Sequence, residues 1–301
     1  MRAYLALSRS AHGVLDIAMP GFAALLWLGR FPAWDVLIVA LVTALAGYTA
    51  IYALNDLVGV KVDREKFAES GPNAGYGVEA SDLRYPIARG KLGFGRGLAW
   101  FIAWYLIALA GAWWLNPWLL VVVLAAPILE TVYCLLFKVS WWRVLVSGVV
   151  KSLGAIAAVL VVVPEPNPAW LGLLVAWLMA WEIGGQNVPA DWNDVEEDRR
   201  VGACTIPLVF GPRVAGTVVL VALIATVALS LWLPLMSPLA LGWPFRAATL
   251  AAGFFLLLVP GFRLFRSLEG RRAAYLFDRA SLYPLAMLVI VTVFVLLESL
   301  R

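Results

Sequence analysis

The sequence predicts an all-α integral membrane protein with nine transmembrane helices, and three observations carry that prediction. Hydrophobic residues make up 63% of the 301 positions and charged residues 14%. An ordinary soluble domain runs near half apolar and a quarter charged, so one soluble core has no room for this much apolar surface. The apolar residues come in long unbroken runs, whereas a membrane barrel would alternate with period two. The basic residues, finally, collect on one side of the spans.

A helix needs about 20 apolar residues to cross the hydrocarbon. From the N-terminus, spans are expected at roughly 12–29, 35–55, 96–114, 118–137, 143–163, 168–188, 214–234, 244–262 and 281–298. The first holds Asp16 and Pro20 and shows no small-residue cleavage site, so it reads as a membrane helix rather than a signal. Asn116-Pro117, the Pro164-Glu165-Pro166-Asn167-Pro168 run and Gly211-Pro212 punctuate the breaks. The chain reads as one transmembrane domain, 1–301. Two of its connections are long, about 55–95 and 187–213. A third, Phe262 to Arg279, is basic but has no comparable acidic pattern.

Of 23 Lys and Arg residues, only Arg30, Arg246 and Arg301 fall opposite the N-terminus, leaving 20 on its side. The positive-inside rule places the N-terminus and both long connections in the cytoplasm, with the chain in a cell inner or plasma membrane. This asymmetry accounts for a pI near 9.2, and a nucleic-acid partner would explain nothing further. Cys134 and Cys204 are far apart, and His12 is the single histidine. These residues support neither a disulfide framework nor a zinc site nor a histidine triad.

The two long connections carry the chemistry. The first opens with NDLVGVKVDREK, Asn55 to Lys66, and the second contains ADWNDVEEDRR, Ala190 to Arg200. Aligned on Asp63 and Asp198, Asp56 falls on Asp191 and Gly59 on Asp194, each offset by 135 residues. On a helix, Asp191, Asp194 and Asp198 stand at i, i+3 and i+7 and share one face. Like charges on one face repel unless a cation lies between them. Oxygen-only ligands favour a hard ion such as magnesium, which completes its shell with water and phosphate oxygens. Asn55, Asp56 and Asp63 offer a similar stripe. A single acidic run beside arginines is usually a solvated loop. Two such runs, each after an apolar span on the same side, point instead to two clusters flanking one anion-binding cavity.

These segments resemble the UbiA superfamily of intramembrane prenyltransferases. The matches are Asn55, Asp56 and Asp63 in the first motif and Asp191, Asp194 and Asp198 in the second. YPIARGKL (Tyr85 to Leu92) and DRRVGACTIPLVFG (Asp198 to Gly211) are similar to flanking stretches of that family. The resemblance spans essentially the whole chain. It implies nine helices around a central cavity, with the site on the cytoplasmic side. Two departures stand out. Gly59 replaces the middle aspartate of the first motif, and Tyr85 replaces the arginine before Pro86, with Arg84 one residue earlier. One metal would then rest on Asn55 and Asp63, on Asp56, or on more water.

The resemblance further implies magnesium-dependent transfer of a prenyl group from an allylic prenyl diphosphate to an aromatic or lipid-like acceptor. Two Mg2+ ions are implied, one of them in doubt at Gly59. Turnover should depend on Asp63, Asp194 and Asp198. Lys61, Arg64, Arg89, Lys91 and Arg199 are expected to meet the diphosphate. Lys151, inside the fifth span, either joins them or snorkels towards the cytoplasm. Tyr48, Tyr52 and Tyr133 are expected on the cavity wall. Glu182 is expected to orient Asn187 or the acceptor, and Asp16 and Glu130 to serve as internal hydrogen-bond partners. Many of the fifteen tryptophans, such as Trp113, Trp114, Trp118, Trp141 and Trp142, lie near span ends and fit an interfacial belt. A membrane terpene cyclase and transfer of a group such as phosphoribose to a lipid phosphate use the same scaffold. A transporter fits less well, because its site should lie near the midplane.

Overall fold

The computed structural model describes residues 2–66, 68 and 84–300. Arg301 and most of the 55–95 connection beyond Lys66 therefore lie outside the described residues.

Among the described residues eight helices are long and apolar enough to cross a membrane. The expected first span differs. It forms two pieces, α2 (Ser10–Asp16) and α3 (Ala18–Leu28), after a short α1 (Arg2–Leu7). The reason is local. Pro20 has no amide hydrogen and its ring crowds the carbonyl four residues back, at Asp16. Gly29, at φ 68°, ends α3 in the left-handed region. The count of nine thus becomes eight full spans and one shorter, broken pair.

The longest helix, α4, runs from Trp34 to Lys66. It was expected to stop near Asn55, but the first acidic segment continues it for three more turns. α5 (Phe94–Leu115), α6 (Leu119–Leu135) and α7 (Arg143–Val162) follow at nearly the expected bounds. α8 (Pro168–Trp181) starts on Pro168, with Asn167 Oδ1 accepting from the Ala169 and Trp170 amides. It passes into a π-helical turn (Glu182–Asn187), then α9 (Val188–Asn193) and α10 (Val195–Arg200). The remaining helices are α11 (Ile206–Ser230), broken at Gly211 (φ 79°, ψ 170°) just before Pro212, α12 (Trp243–Gly253), α13 (Val259–Ser267), α14 (Gly270–Ser281) and α15 (Tyr283–Ser299).

The outside is apolar. Ile38, Ile128, Val221, Phe255 and Val289 are all exposed, as a lipid-facing surface requires. Trp113, Trp114, Trp118 and Trp142 are exposed near helix ends, where an aromatic belt belongs. The core is built from α3, α7, α8, α11 and α15 around Phe22, Trp177, Trp181 and Tyr283.

The π turn is held tightly. A Cβ added at Gly184 would meet Ala222 Cβ at 2.9 Å and the Val219 oxygen and Leu223 nitrogen at 3.0 Å. One added at Gly185 would meet Ala280 Cβ at 2.8 Å. Glycine here lets the turn lie directly on the α11 backbone. Gly184→Val is expected to cost about 1–3 kcal/mol through overpacking. A melting curve in detergent measures it, and an unchanged midpoint would contradict this packing.

Candidate active site

α4 carries the first motif on one continuous helix. Asp56 is buried, while Asn55 and Asp63 are half-buried. Asn55 is tied in place: its Nδ2 donates to Glu130 Oε1 at 2.6 Å, and its Oδ1 accepts from Arg9 Nη2 at 3.3 Å. Arg9 also stands 3.7 Å from Asp56 Oδ1. Gly59 leaves room that Asp63 uses. A Cβ there would lie 3.1 Å from Asp63 Oδ2, so the carboxylate leans over the glycine.

The second motif was expected on one helix. It spans two, hinged at Asp194, which has φ −95° and ψ 17°. Asn193 Nδ2 donates to Asp194 Oδ1 at 2.9 Å, the kind of local bond that competes with regular helix. The i→i−4 bonds from Asp194 to Ala190 and from Asp198 to Asp194 persist, so the bend is small. Asp191, Asp194 and Asp198 are all buried.

Each of these buried carboxylates meets a cation from the chain itself. Lys66, also buried, places Nζ 2.5 Å from Asp198 Oδ1 and 3.9 Å from Asp194 Oδ2. Arg84 Nη2 donates to Asp194 Oδ2 at 3.2 Å and to the Tyr85 hydroxyl at 2.7 Å. Arg143 donates to Asp191 Oδ1 at 3.4 Å and to the Tyr133 hydroxyl. Burial opposes ionisation of Asp194, but Arg84 and Lys66 outweigh it and hold the carboxyl below its ordinary value. Burial likewise raises the Tyr85 phenol above its ordinary value. Tyr85 has φ 58°, a strained conformation for a side-chain-bearing residue. Beside this turned backbone, Arg84 reaches Asp194 of the second motif.

The donor set is all oxygen and largely buried, so its chemistry suits a hard divalent cation. Its present arrangement is closed, however. Among the described residues no three carboxylates converge closely enough to hold an ion, and basic side chains stand on the second-motif carboxylates. Those ion pairs would have to open to admit a metal.

A cavity of about 320 Å³ leads away from the motifs. Asn55, Arg9 and Arg84 line its mouth, and Val36, Leu115, Leu119 and Val162 its far end. From Asn55 to Val36 along α4 is about 28 Å at 1.5 Å per residue, close to the hydrocarbon thickness. Tyr48, Tyr52, Tyr133, Lys151, Glu182 and Asn187 all line this cavity. Lys151 is paired there, its Nζ 2.5 Å from Asp16 Oδ2 and 2.9 Å from the hydroxyl of Tyr52, one turn along α4 from Asn55, and that hydroxyl donates to the same carboxylate oxygen.

The other expected diphosphate residues lie further out. Lys61, Arg64 and Lys91 are exposed and Arg89 is half-exposed. Arg199 is 65% exposed and faces Glu196 on its own helix at 3.4 Å. Among the described residues, cations that do meet the motif aspartates are Arg9, Lys66, Arg84 and Arg143. Of these, Lys66 had a readable signal, three residues beyond Asp63 on the same helix. Arg9 and Arg143 had none, because tertiary packing alone brings them to the site.

A sequence model of the UbiA prenyltransferase family matches residues 17–297. The chain belongs to that family. No curated protein sequence matches it significantly. Solved structures resemble it closely in fold. An apo UbiA homologue from Aeropyrum pernix K1 superposes with a TM-score of 0.72 at 17% identity, covering 96% of this chain and 98% of that one. A UbiA homologue from Archaeoglobus fulgidus bound to DMAPP and Mg2+ gives 0.67 at 18% identity, covering 96% and 99%. A digeranylgeranylglyceryl phosphate synthase gives 0.67 at 13% identity, covering 97% of each chain. At these identities the likeness is one of fold. UbiA membership and the eight apolar helices make this chain an integral membrane protein of the prenyltransferase class.

Proposed function

We propose that this UbiA-family protein transfers a prenyl group from an allylic prenyl diphosphate to an aromatic or lipid-like acceptor within the membrane. The reading rests on one juxtaposition. The acidic motifs reach one end of a largely apolar cavity through Asn55, which lines it, and through Arg84, which lines it and donates to the buried Asp194, and that cavity is about as deep as the bilayer core. The A. fulgidus homologue solved with DMAPP and Mg2+, and the same homologue solved with GPP and Mg2+, support it. The synthase neighbour supports a lipid-like acceptor.

Asp63, Asp191, Asp194 and Asp198 are the residues that would hold magnesium, with Asn55 and Asp56 beside them. When bound, magnesium would supply charge neutralisation for the departing diphosphate. The chain's own part is to bind and to exclude. Arg9, Lys66, Arg84 and Arg143, released from their carboxylates, would turn to diphosphate oxygens. The tail would lie along α4 and α7, where apolar walls keep water from the allylic cation. We place the N-terminus and the motif face in the cytoplasm on the distribution of Lys and Arg.

The test is to give purified protein in lipid nanodiscs a panel of prenyl diphosphates, magnesium and phenolic or lipid acceptors. Diphosphate and a mass-identified prenylated product should appear together. Diphosphate with a cyclic hydrocarbon and no need of acceptor would replace transfer by cyclisation.

Gly59→Asp returns a carboxylate to the first motif. Asp63 must shift by a few tenths of an ångström to admit it, given the 3.1 Å approach. The variant is expected to bind Mn2+, standing in for magnesium, several-fold more tightly than the wild type. Equal affinity would show that position 59 does not reach the metal.

A further inference from the structure

The π turn presents polar atoms that the metal–diphosphate reading leaves unused. Glu182 is 3% exposed and lines the cavity. Its Oε1 accepts from Ser147 Oγ at 2.6 Å, while its Oε2 is buried without a hydrogen-bond partner. Asn187, 5% exposed, lines the same cavity five residues later. Its Nδ2 donates to the Tyr133 hydroxyl at 3.0 Å, and its Oδ1 is likewise buried without a partner. The Asn187 amide can be turned over, since Tyr133 can donate as well as accept. Either orientation leaves one of its polar atoms unpaired. Burying an unsatisfied carboxylate oxygen costs more than burying a neutral one, so the Glu182 atom is the more telling of the two.

Both residues are held rigidly. A π turn inside an α-helix is uncommon and frequently marks a functional site. Here Gly184 and Gly185 press its back against α11 and α14 with no room for a side chain. The Glu182 carboxylate is further positioned by Ser147 on α7.

We propose that Glu182 and Asn187 form a subsite for the hydroxyl group of the acceptor, with Glu182 Oε2 taking its proton. The proposal rests on the prenyl-transfer reading and narrows it to hydroxyl-bearing acceptors. In the reaction, the acceptor oxygen bonds to the allylic C1. The bond from C1 to the diphosphate oxygen breaks, and its electron pair leaves with the diphosphate. The hydroxyl proton passes to Glu182 Oε2. A hydroxyl donor satisfies the unpaired carboxylate oxygen in the ground state and is already aligned for that transfer.

The probes are 1-naphthol and its methyl ether, 1-methoxynaphthalene, measured by equilibrium dialysis against the full chain in detergent. The wild type is expected to bind the naphthol about tenfold or more tightly than the ether, the effect of one hydrogen bond to a charged acceptor. Glu182→Gln should reduce that preference below about threefold, because an amide bonded to Ser147 through its oxygen turns N–H groups to the cavity. Glu182→Asp, which retracts the same carboxylate by one methylene, should also lower it. A wild type without preference, or variants that keep it in full, would overturn the proposal. Magnesium-dependent diphosphate release from geranyl diphosphate is assayed on the same wild-type preparation. A hydroxyl preference lost in Glu182→Gln without any such release would leave the subsite standing and remove the prenyl-transfer reading.

Discussion

Asp198→Ala is expected to lower magnesium-dependent diphosphate release by about 10²–10³-fold or more, the scale of losing one preorganised charge-stabilising group. Asp194→Ala should do the same. Asp198 is the most enclosed of the motif carboxylates, at 1% exposure, and it faces Lys66 at 2.5 Å. No exposed residue could replace it. The substitution also strands Lys66 as a buried, less compensated cation, which costs about 3–5 kcal/mol. Asp198→Asn is the control, because it keeps the volume and removes the charge. If Asp198→Asn melts near the wild type yet releases no diphosphate, the loss is chemical rather than structural. Wild-type rates in both Asp194 and Asp198 variants would remove the second motif from the site.

Lys66→Met is expected to raise the affinity for divalent metal by about tenfold or more while destabilising the metal-free protein by about 3–5 kcal/mol. The ammonium lies against Asp198 and within 3.9 Å of Asp194, where a metal would also bind. Lysine is a compact point charge that competes directly with such an ion. Removing it leaves the carboxylates facing one another with one cation fewer, and metal binding then stabilises the fold by mass action. Melting curves with and without Mg2+ read the linkage, and Mn2+ titration followed by electron paramagnetic resonance reads the affinity. Donor affinity should fall in the same variant, because the released ammonium would otherwise meet diphosphate. Opposite changes for metal and donor distinguish this role from a purely structural ion pair. Unchanged metal affinity would contradict it.

The fold class was readable because bilayer thickness and backbone hydrogen bonding leave few choices. Most span limits came within a few residues for the same reason, punctuated by Asn116-Pro117 and Asn167-Pro168. Where the reading missed, the cause was local. Pro20 divides the first span, and the Asn55 to Lys66 segment stays helical although its polarity resembled a loop. At Asp194 a side-chain bond from Asn193 bends the helix that spacing alone would have kept straight. Within the site, the acidic stripes were legible because carboxylate spacing is a one-dimensional signal. The pairings were not. Arg143 meets Asp191 across 48 residues and Arg84 meets Asp194 across 110. Loop position drew attention to Lys61, Arg64 and Arg199, all exposed, whereas burial selected Lys66, Arg84 and Arg143.

The central claim is that both acidic motifs serve one metal-bound diphosphate at the mouth of the cavity. It is tested most directly by crystals grown with Mn2+ and geranyl thiolodiphosphate, using anomalous scattering to locate the metal. The account predicts manganese held by the second-motif carboxylates Asp191, Asp194 and Asp198 and reached by Asp63 of the first motif. The diphosphate should lie on the metal and its tail should run along α4 towards Val36. Manganese confined to the protein surface, or a diphosphate bound away from both motifs, would contradict it.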